Sequence, residues 1–394
     1  MSELLESRWV DTKNALLEGL QGNKKSVMAA TLENTRRYLS ESATAGATSA
    51  GNVATLNRVI LPVIRRVMPT VIANELVGVQ PMTGPVGQIH TLRVRYSDTM
   101  NDTSAGNTDT TAGEEALSPF KIAEAYSGDA ATAKAASTAA LEGNAGRKMS
   151  IQILKQTVEA KTRKLSARWT FEAAQDAQSM HGIDVEAEIM AALAQEITAE
   201  IDQEVIGSLV TLSGTAAQTY DQAAVSGTAT FVGDEHAALA VQINRVSNLI
   251  AQRTRRGAGN WAVVSPFALT ILQSATTSAF ARTTEGTFEA PTNTKMVGTL
   301  NNAMKVYVNT YAADSAPVLI GYKGSSESDA AAFYCPYIPL MSSGVVLDPT
   351  SFEPTVSFMT RYGYVELNNT ASSLGNAADY LGNVAITNGN VSFS

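Results

Sequence analysis

Three histidines, one cysteine, one glycine fingerprint and one row of glutamates are the residues of this chain that could do chemistry by type and spacing. His90, His181 and His236 are scattered, and none stands at ligand spacing from another histidine or from Cys335. The nitrogen and sulfur donors of a tetrahedral zinc site are therefore not supplied by any one stretch of sequence. No G-x-S-x-G elbow presents a serine nucleophile, although the members of a Ser-His-Asp triad converge only in the fold. Gly257-Ala258-Gly259-Asn260-Trp261-Ala262 matches a relaxed G-x-G-x-x-A dinucleotide fingerprint. That chemistry needs a strand before it and a helix after it, so that a helix N-terminus faces the pyrophosphate. Here a helical period precedes and an apolar strand pattern follows, so the glycines read as a helix stop.

The acids are more orderly. Glu196, Glu200 and Glu204 form an i, i+4 row, joined by Asp184, Glu186, Glu188 and Asp202, with no Lys or Arg between Asp184 and Val210. Like charges at that spacing weaken a helix by a few tenths of a kcal/mol per pair. The row reads either as a solvated face or as the complement of a basic partner. That partner is drawn from Lys161, Arg163, Lys164 and Arg168, or from the Arg253 to Arg256 cluster of a second copy. A magnesium site is a poorer reading, because Mg²⁺ is usually held by one or two carboxylates together with phosphate. Arg65-Arg66 and Arg253-Thr254-Arg255-Arg256 have no interleaved aromatics of the kind a single-strand groove uses. They read as contacts between subunits. No catalytic, cofactor or metal residues are assigned, and the chain reads as a non-enzyme.

The elements that position these residues follow from periodicity. Val185, Ile189, Leu193, Ile197, Ile201, Val205 and Leu209 recur every four residues, which predicts a helix over 184–210 with Asp184 as N-cap. At 1.5 Å per residue it is roughly 40 Å long. A second helix is expected over 234–253, with Arg253, Arg255 and Arg256 in its last turn and Gly257 as C-cap. Strands are expected at 261–264, 304–311, 318–322, 331–338 and 355–367, and the tail after Asn368 is small and polar. Val94 and Tyr96 alternate with polar residues, as do Leu165, Ala167, Trp169 and Phe171. The stretch between them, 98–148, is rich in Ala, Thr, Ser, Gly and Asn, so the two strands predict a long hairpin-like excursion. Short amphipathic helices are expected in the first forty residues, then a flexible joint at 42–55.

Bulk properties bound the function. The 394 residues allow two or three domains, and 44% apolar with 17% charged residues is ordinary for a globular protein. A net charge of −8 argues against general nucleic-acid affinity. One cysteine fits a reducing compartment, the first ten residues do not read as a secretory signal, and no apolar run is long enough to span a bilayer.

One stretch is far more specific than any short catalytic motif. Arg65 to Tyr96 carries an arginine pair, an apolar turn at Val71 to Leu76, Gly78-Val79-Gln80-Pro81-Met82-Thr83-Gly84-Pro85-Val86-Gly87, and a strand from Ile89. It resembles the segment that leads from the N-terminal arm into the body of major capsid proteins of T-even-type tailed bacteriophages. Blocks in the same order extend the likeness over about 56–367. They include Thr157 to Lys161, Ala173 to Asp176, His181-Gly182, Glu188 to Ile206, Arg253 to Pro266, Gly321 to Gly324, Phe333 to Leu340 and Thr360 to Gly363.

The resemblance implies an α+β tailed-phage capsid (Johnson) fold and a major capsid protein of the icosahedral or prolate head that encloses double-stranded DNA. It places an N-terminal arm at 1–55, a peripheral domain with a long spine helix at 56–92, 171–215 and 346–394, an excursion loop at 93–170 and an axial domain at 216–345. The implied partner is the chain itself, in hexameric capsomers and pentamers. Scaffold, portal, vertex, decoration and prohead protease proteins are implied too, with no sequence-specific DNA binding, no membrane and no cofactor. The location implied is the virion, with assembly in the host bacterial cytoplasm. Such proteases cut after glutamate in an (L/I)-x-E context, and Leu39-Ser40-Glu41 fits, as do three other triplets. The extra domain that this family often carries in its excursion loop is not expected, since 98–148 is short and poor in large apolar residues. An encapsulin-like nanocompartment shell shares the fold, and a secreted filament or surface-layer protein is the reading from a different class.

Overall fold

A computed structural model describes residues 25–34, 72–101, 109–114, 134–143, 146–181, 184–222, 232–275, 280–282, 295–301, 303–326, 329–348, 353–367 and 377–387, with isolated positions between them. Arg65, Arg66, the Leu39-Ser40-Glu41 triplet and the joint at 42–55 lie outside the described residues.

In chain order, α1 (Ala73–Leu76) and β1 (Gly78–Val79) lead into β2 (Val86–Tyr96). After the short α2 (Thr138–Leu141) come β3 (Met149–Glu159) and β4 (Lys161–Arg168). Helices α3 (Phe171–His181) and α4 (Val185–Ser213) follow, then β5 (Gln218–Asp221) and α5 (Val232–Thr254). The rest alternates more quickly: β6 (Trp261–Val264), α6 (Pro266–Ser274), β7 (Phe280–Arg282), β8 (Lys295–Leu300) and β9 (Met304–Val308). Strands β10 (Val318–Gly321), β11 (Ala332–Ser342), β12 (Val346–Leu347), β13 (Pro354–Glu366) and β14 (Leu381–Thr387) complete it.

These strands make two sheets and a ribbon. The first sheet runs β1-β11-β13-β12 with β4 also on β13, and the second runs β5-β14-β10-β6-β9-β8-β7. Helix α4 is 29 residues long, and the Asp184 carboxylate accepts from Glu186 N and Ala187 N. Two orphan amides of its first turn are satisfied in this way, as the sequence predicts. Its inner face, with Leu193, Ile197, Ile201, Val205 and Leu209, packs into one core with β11 and β13 residues such as Tyr334, Leu340, Val356 and Phe358. Helix α5 buries Leu239, Ile243, Val246 and Ile250 in a second core against the second sheet. Leu17, Val27, Met28 and Leu32 from the N-terminal segment sit in the first core, and Asn34 Nδ2 donates to Met82 O at 2.7 Å.

Three sequence expectations change. The hairpin partner of β2 is β3, paired from Val86↔Glu159 to Tyr96↔Met149. The alternating stretch at 165 belongs instead to β4, which pairs with β13 in the first sheet. Alternation reveals a half-buried strand and says nothing about its neighbour. Residues 381–387, read as polar tail, form β14 between β5 and β10 of the second sheet. Its glycine is required there: a Cβ on Gly382 would lie 2.4 Å from Val246 Cγ1 of α5. Finally, α5 ends through Arg255 at φ 48° and not through Gly257. Gly257 is needed for a different reason, since a Cβ there would meet the Tyr322 ring at 2.5 Å.

Candidate functional site

The ribbon of β2 and β3 is anchored at one end. Val158 is buried with Met82, Phe333, Cys335 and Val365, and two glycines let the ribbon seat that closely. A Cβ on Gly363 would lie 2.5 Å from Val158 Cγ2, and one on Gly87 would lie 3.1 Å from Val158 Cγ1. Gln156 Nε2 donates to Glu366 O at 2.8 Å, and Ala160 N to Pro85 O at 2.9 Å.

The other end stands away from both sheets. Met149, Ile151 and Ile153 share one face by strand periodicity, and Ile151 and Ile153 are each 68% exposed. At the tip, Tyr96, Met100, Ala116 and Tyr126 form a small buried cluster, with the two tyrosine rings 4.4 Å apart. Arg147 lies over the Tyr126 ring and donates to Tyr126 O and Gly128 O, while the Tyr126 hydroxyl donates to Lys148 O. The excursion thus holds a four-residue apolar cluster at its tip.

Helix α4 presents Glu196, Glu200 and Glu204 on the opposite side from the core. Arg163 reaches from β4 to Glu200 and Glu204, each at 2.6 Å, and its Nε donates to Tyr362 Oη at 2.6 Å. The Tyr362 hydroxyl in turn donates to Glu204. Partial burial works to raise the Glu204 carboxyl, but Tyr362 and Arg163 outweigh it and hold it below the usual carboxylate range. One of the basic residues offered by sequence is therefore the partner of this row, within the same chain. Glu196 is exposed and has no ion pair among the described residues.

The other singled-out cations are dispersed. Lys161 and Lys164 are exposed on β4, and Arg168 lies 3.6 Å from Glu353. Arg256 pairs with Asp329 at 2.6 Å, while Arg253 and Arg255 sit at the end of α5. Sequence reasoning missed Tyr362 and misplaced Asp202, which was grouped with the surface acids and is buried in the core. The signal was available: Asp202 stands two residues from Glu200, about 200° around a helix of 3.6 residues per turn. His90, His181 and His236 are not brought together: they lie on β2, at the end of α3 and on α5. Among the described residues no helix is long and apolar enough to cross a membrane.

Two cores on opposite faces of the second sheet, the first of them built on the long helix, together with a ribbon that exposes apolar side chains, fit a structural subunit of the class that builds tailed-phage heads. The chain belongs to the family described as Major capsid protein Gp23, whose model matches residues 53–386. The major capsid protein of Vibrio phage KVP40 is 29% identical over 412 residues, covering 81% of this chain and 77% of that one. That of Enterobacteria phage T4 is 29% identical over 423 residues, covering 85% and 80%. That of Salmonella phage ViI is 27% identical over 408 residues, covering 92% and 90%. Among solved structures, the capsid of Myoviridae phage XM1 matches 80% of this chain and 92% of that chain, at 10% identity and a TM-score of 0.44. Family membership makes this a tailed-phage major capsid protein with the α+β capsid fold, and its place is the shell of the virion. The nanocompartment and filament readings are not favoured.

Proposed function

We propose that the β2–β3 ribbon is the element by which one copy grips the next in the shell. The observation that supports this most is the exposed apolar face at Met149, Ile151 and Ile153. A two-stranded ribbon is marginal in water by itself, and exposed apolar patches of this kind mark contact sites. In this reading six copies gather around each capsomer centre through the axial part, 216–345, whose strands supply all of the second sheet except β14. The peripheral part, 56–92, 171–215 and 346–394, carries α4, and the ribbon, with what remains of the N-terminal arm beyond residue 41, locks neighbours. Many modest contacts then repeat across a closed symmetric shell.

The work is structural, with no catalysis and no cofactor. The acidic balance suits a container that holds DNA without gripping it. Assembly takes place in the host bacterial cytoplasm with scaffold, portal, vertex and decoration proteins. A prohead protease cuts after Glu41, which would release the buried Leu17, Val27, Met28 and Leu32 from the first core. The exposed Lys161, Lys164 and Glu196, together with Arg65, Arg66, Arg253 and Arg255, serve contacts between subunits.

The test is the double substitution Ile151→Ser, Ile153→Ser. Both side chains are solvent-exposed in the single subunit, so its thermal melting should be unchanged while capsomer formation is lost. Normal assembly of the double variant would refute the ribbon's role.

A further inference from the structure

Asp202 lies in the middle of α4 at 1% exposure, facing the point where the chain enters α1. Its Oδ1 accepts the Ile72 N–H at 2.9 Å, and its Oδ2 is buried with no hydrogen-bond partner among the described residues. Among the described residues the groups around it offer no counter-charge. From β11 comes the buried Tyr334, whose ionised form is disfavoured beside this carboxyl, while Glu204, two residues on, lies about 200° around the helix. Arg163, from β4, is engaged by Glu200, Glu204 and Tyr362. Glu75 on α1 lies against Lys305 and Tyr307. A carboxylate with one dry oxygen is disfavoured in its charged form. Burial pushes the Asp202 carboxyl up to about 7, opposed only by the Ile72 N–H.

We propose that Asp202 and the Ile72 N–H form a protonation-controlled latch on residues 72–76, which comprise α1 and its N-cap residue. The protonated acid stays buried with residues 72–76 seated on α4. The ionised acid favours an opened state in which that segment lifts and water reaches the carboxylate. The sign follows from linkage: the seated carboxyl keeps its proton to about pH 7, whereas the opened, solvated one loses it near 3.8. The latch is therefore fully closed below pH 3.8, weakens as pH rises to about 7 and levels off above. The inference stands independently of the ribbon's role in assembly.

Hydrogen exchange of the purified full chain, followed by mass spectrometry on peptides covering 72–76 between pH 5 and 8, reads the latch directly. After correction for intrinsic exchange, opening should rise by up to about tenfold per pH unit between pH 5 and 7, the limit for one linked proton, and then flatten. Asp202→Asn, which keeps the shape and an acceptor for Ile72, should abolish the pH dependence. Glu188→Gln, an exposed acid on the same helix, should leave it intact. Wild-type opening that does not vary with pH, or an Asp202→Asn profile that matches wild type, would overturn the proposal. If Asp202→Asn does not fold, the wild-type profile alone decides.

Discussion

Replacing Gly363 by alanine should destabilise the subunit through one identifiable contact. The added Cβ would lie 2.5 Å from Val158 Cγ2, 3.1 Å from Glu159 O and 3.4 Å from Met82 Sδ. Carbon atoms prefer about 3.5–4.0 Å, so the valine must retreat by about 1 Å. It has little room to do so. Val158 is buried, its β-branched side chain is stiff at χ1, and Gly87 closes its other side. Overpacking of this kind costs about 1–3 kcal/mol. At about 1 °C per kcal/mol for a chain of this length, the melting temperature should fall by about 1–4 °C. The contact can be isolated by a double-mutant cycle with Val158→Ala. That single change costs the burial of the methyls it removes, roughly 1–2 kcal/mol. It also clears the space the alanine needs, so the double variant should be more stable than the sum of the singles by about 0.5–3 kcal/mol. Thermal melts of the four proteins measure the coupling. A Gly363→Ala melt equal to wild type, or strictly additive changes, would refute the packing argument.

Other expectations follow from single features. Asp184→Ala removes the N-cap of α4 and should cost about 1 kcal/mol, read by denaturant unfolding, whereas Asp184→Asn should cost less. Arg163→Met breaks two ion pairs whose side chains are about a third exposed, so it should cost at most about 1 kcal/mol and less at high salt, measured by melts across ionic strength. His236 is buried and its imidazole is held below its usual value by desolvation, against the nearby Glu235. Its contribution to stability is therefore present above pH 6.5 and lost as pH falls through the folded value. His236→Gln should flatten that part of the pH–stability curve.

The long helix was legible because seven apolar residues recur every four positions, and its Asp184 cap is a local feature. The α5 to β6 passage was legible too, since a helical period gives way to four consecutive apolar residues at Trp261 to Val264. Pairing was not. Strands β3 and β4 follow one another with a single residue between them, and only tertiary packing sends one to β2 and the other to β13. Strand β14 was hidden because its burial depends on Val246 pressing against Gly382 and on Asn383 donating to Ser213 Oγ and Gly214 O at the end of α4. The acidic row left two readings open, a solvated face and the complement of a basic partner; the structure pairs Glu200 and Glu204 with Arg163 and leaves Glu196 exposed, a division set by strand placement, not by charge pattern.

The central claim is that this chain does its work by joining copies of itself into a shell. Electron microscopy of the purified chain over a range of concentrations tests it most directly. Six-membered capsomers, sheets of them or closed shells are the predicted outcome. A chain that stays a stable monomer at every concentration would contradict the account.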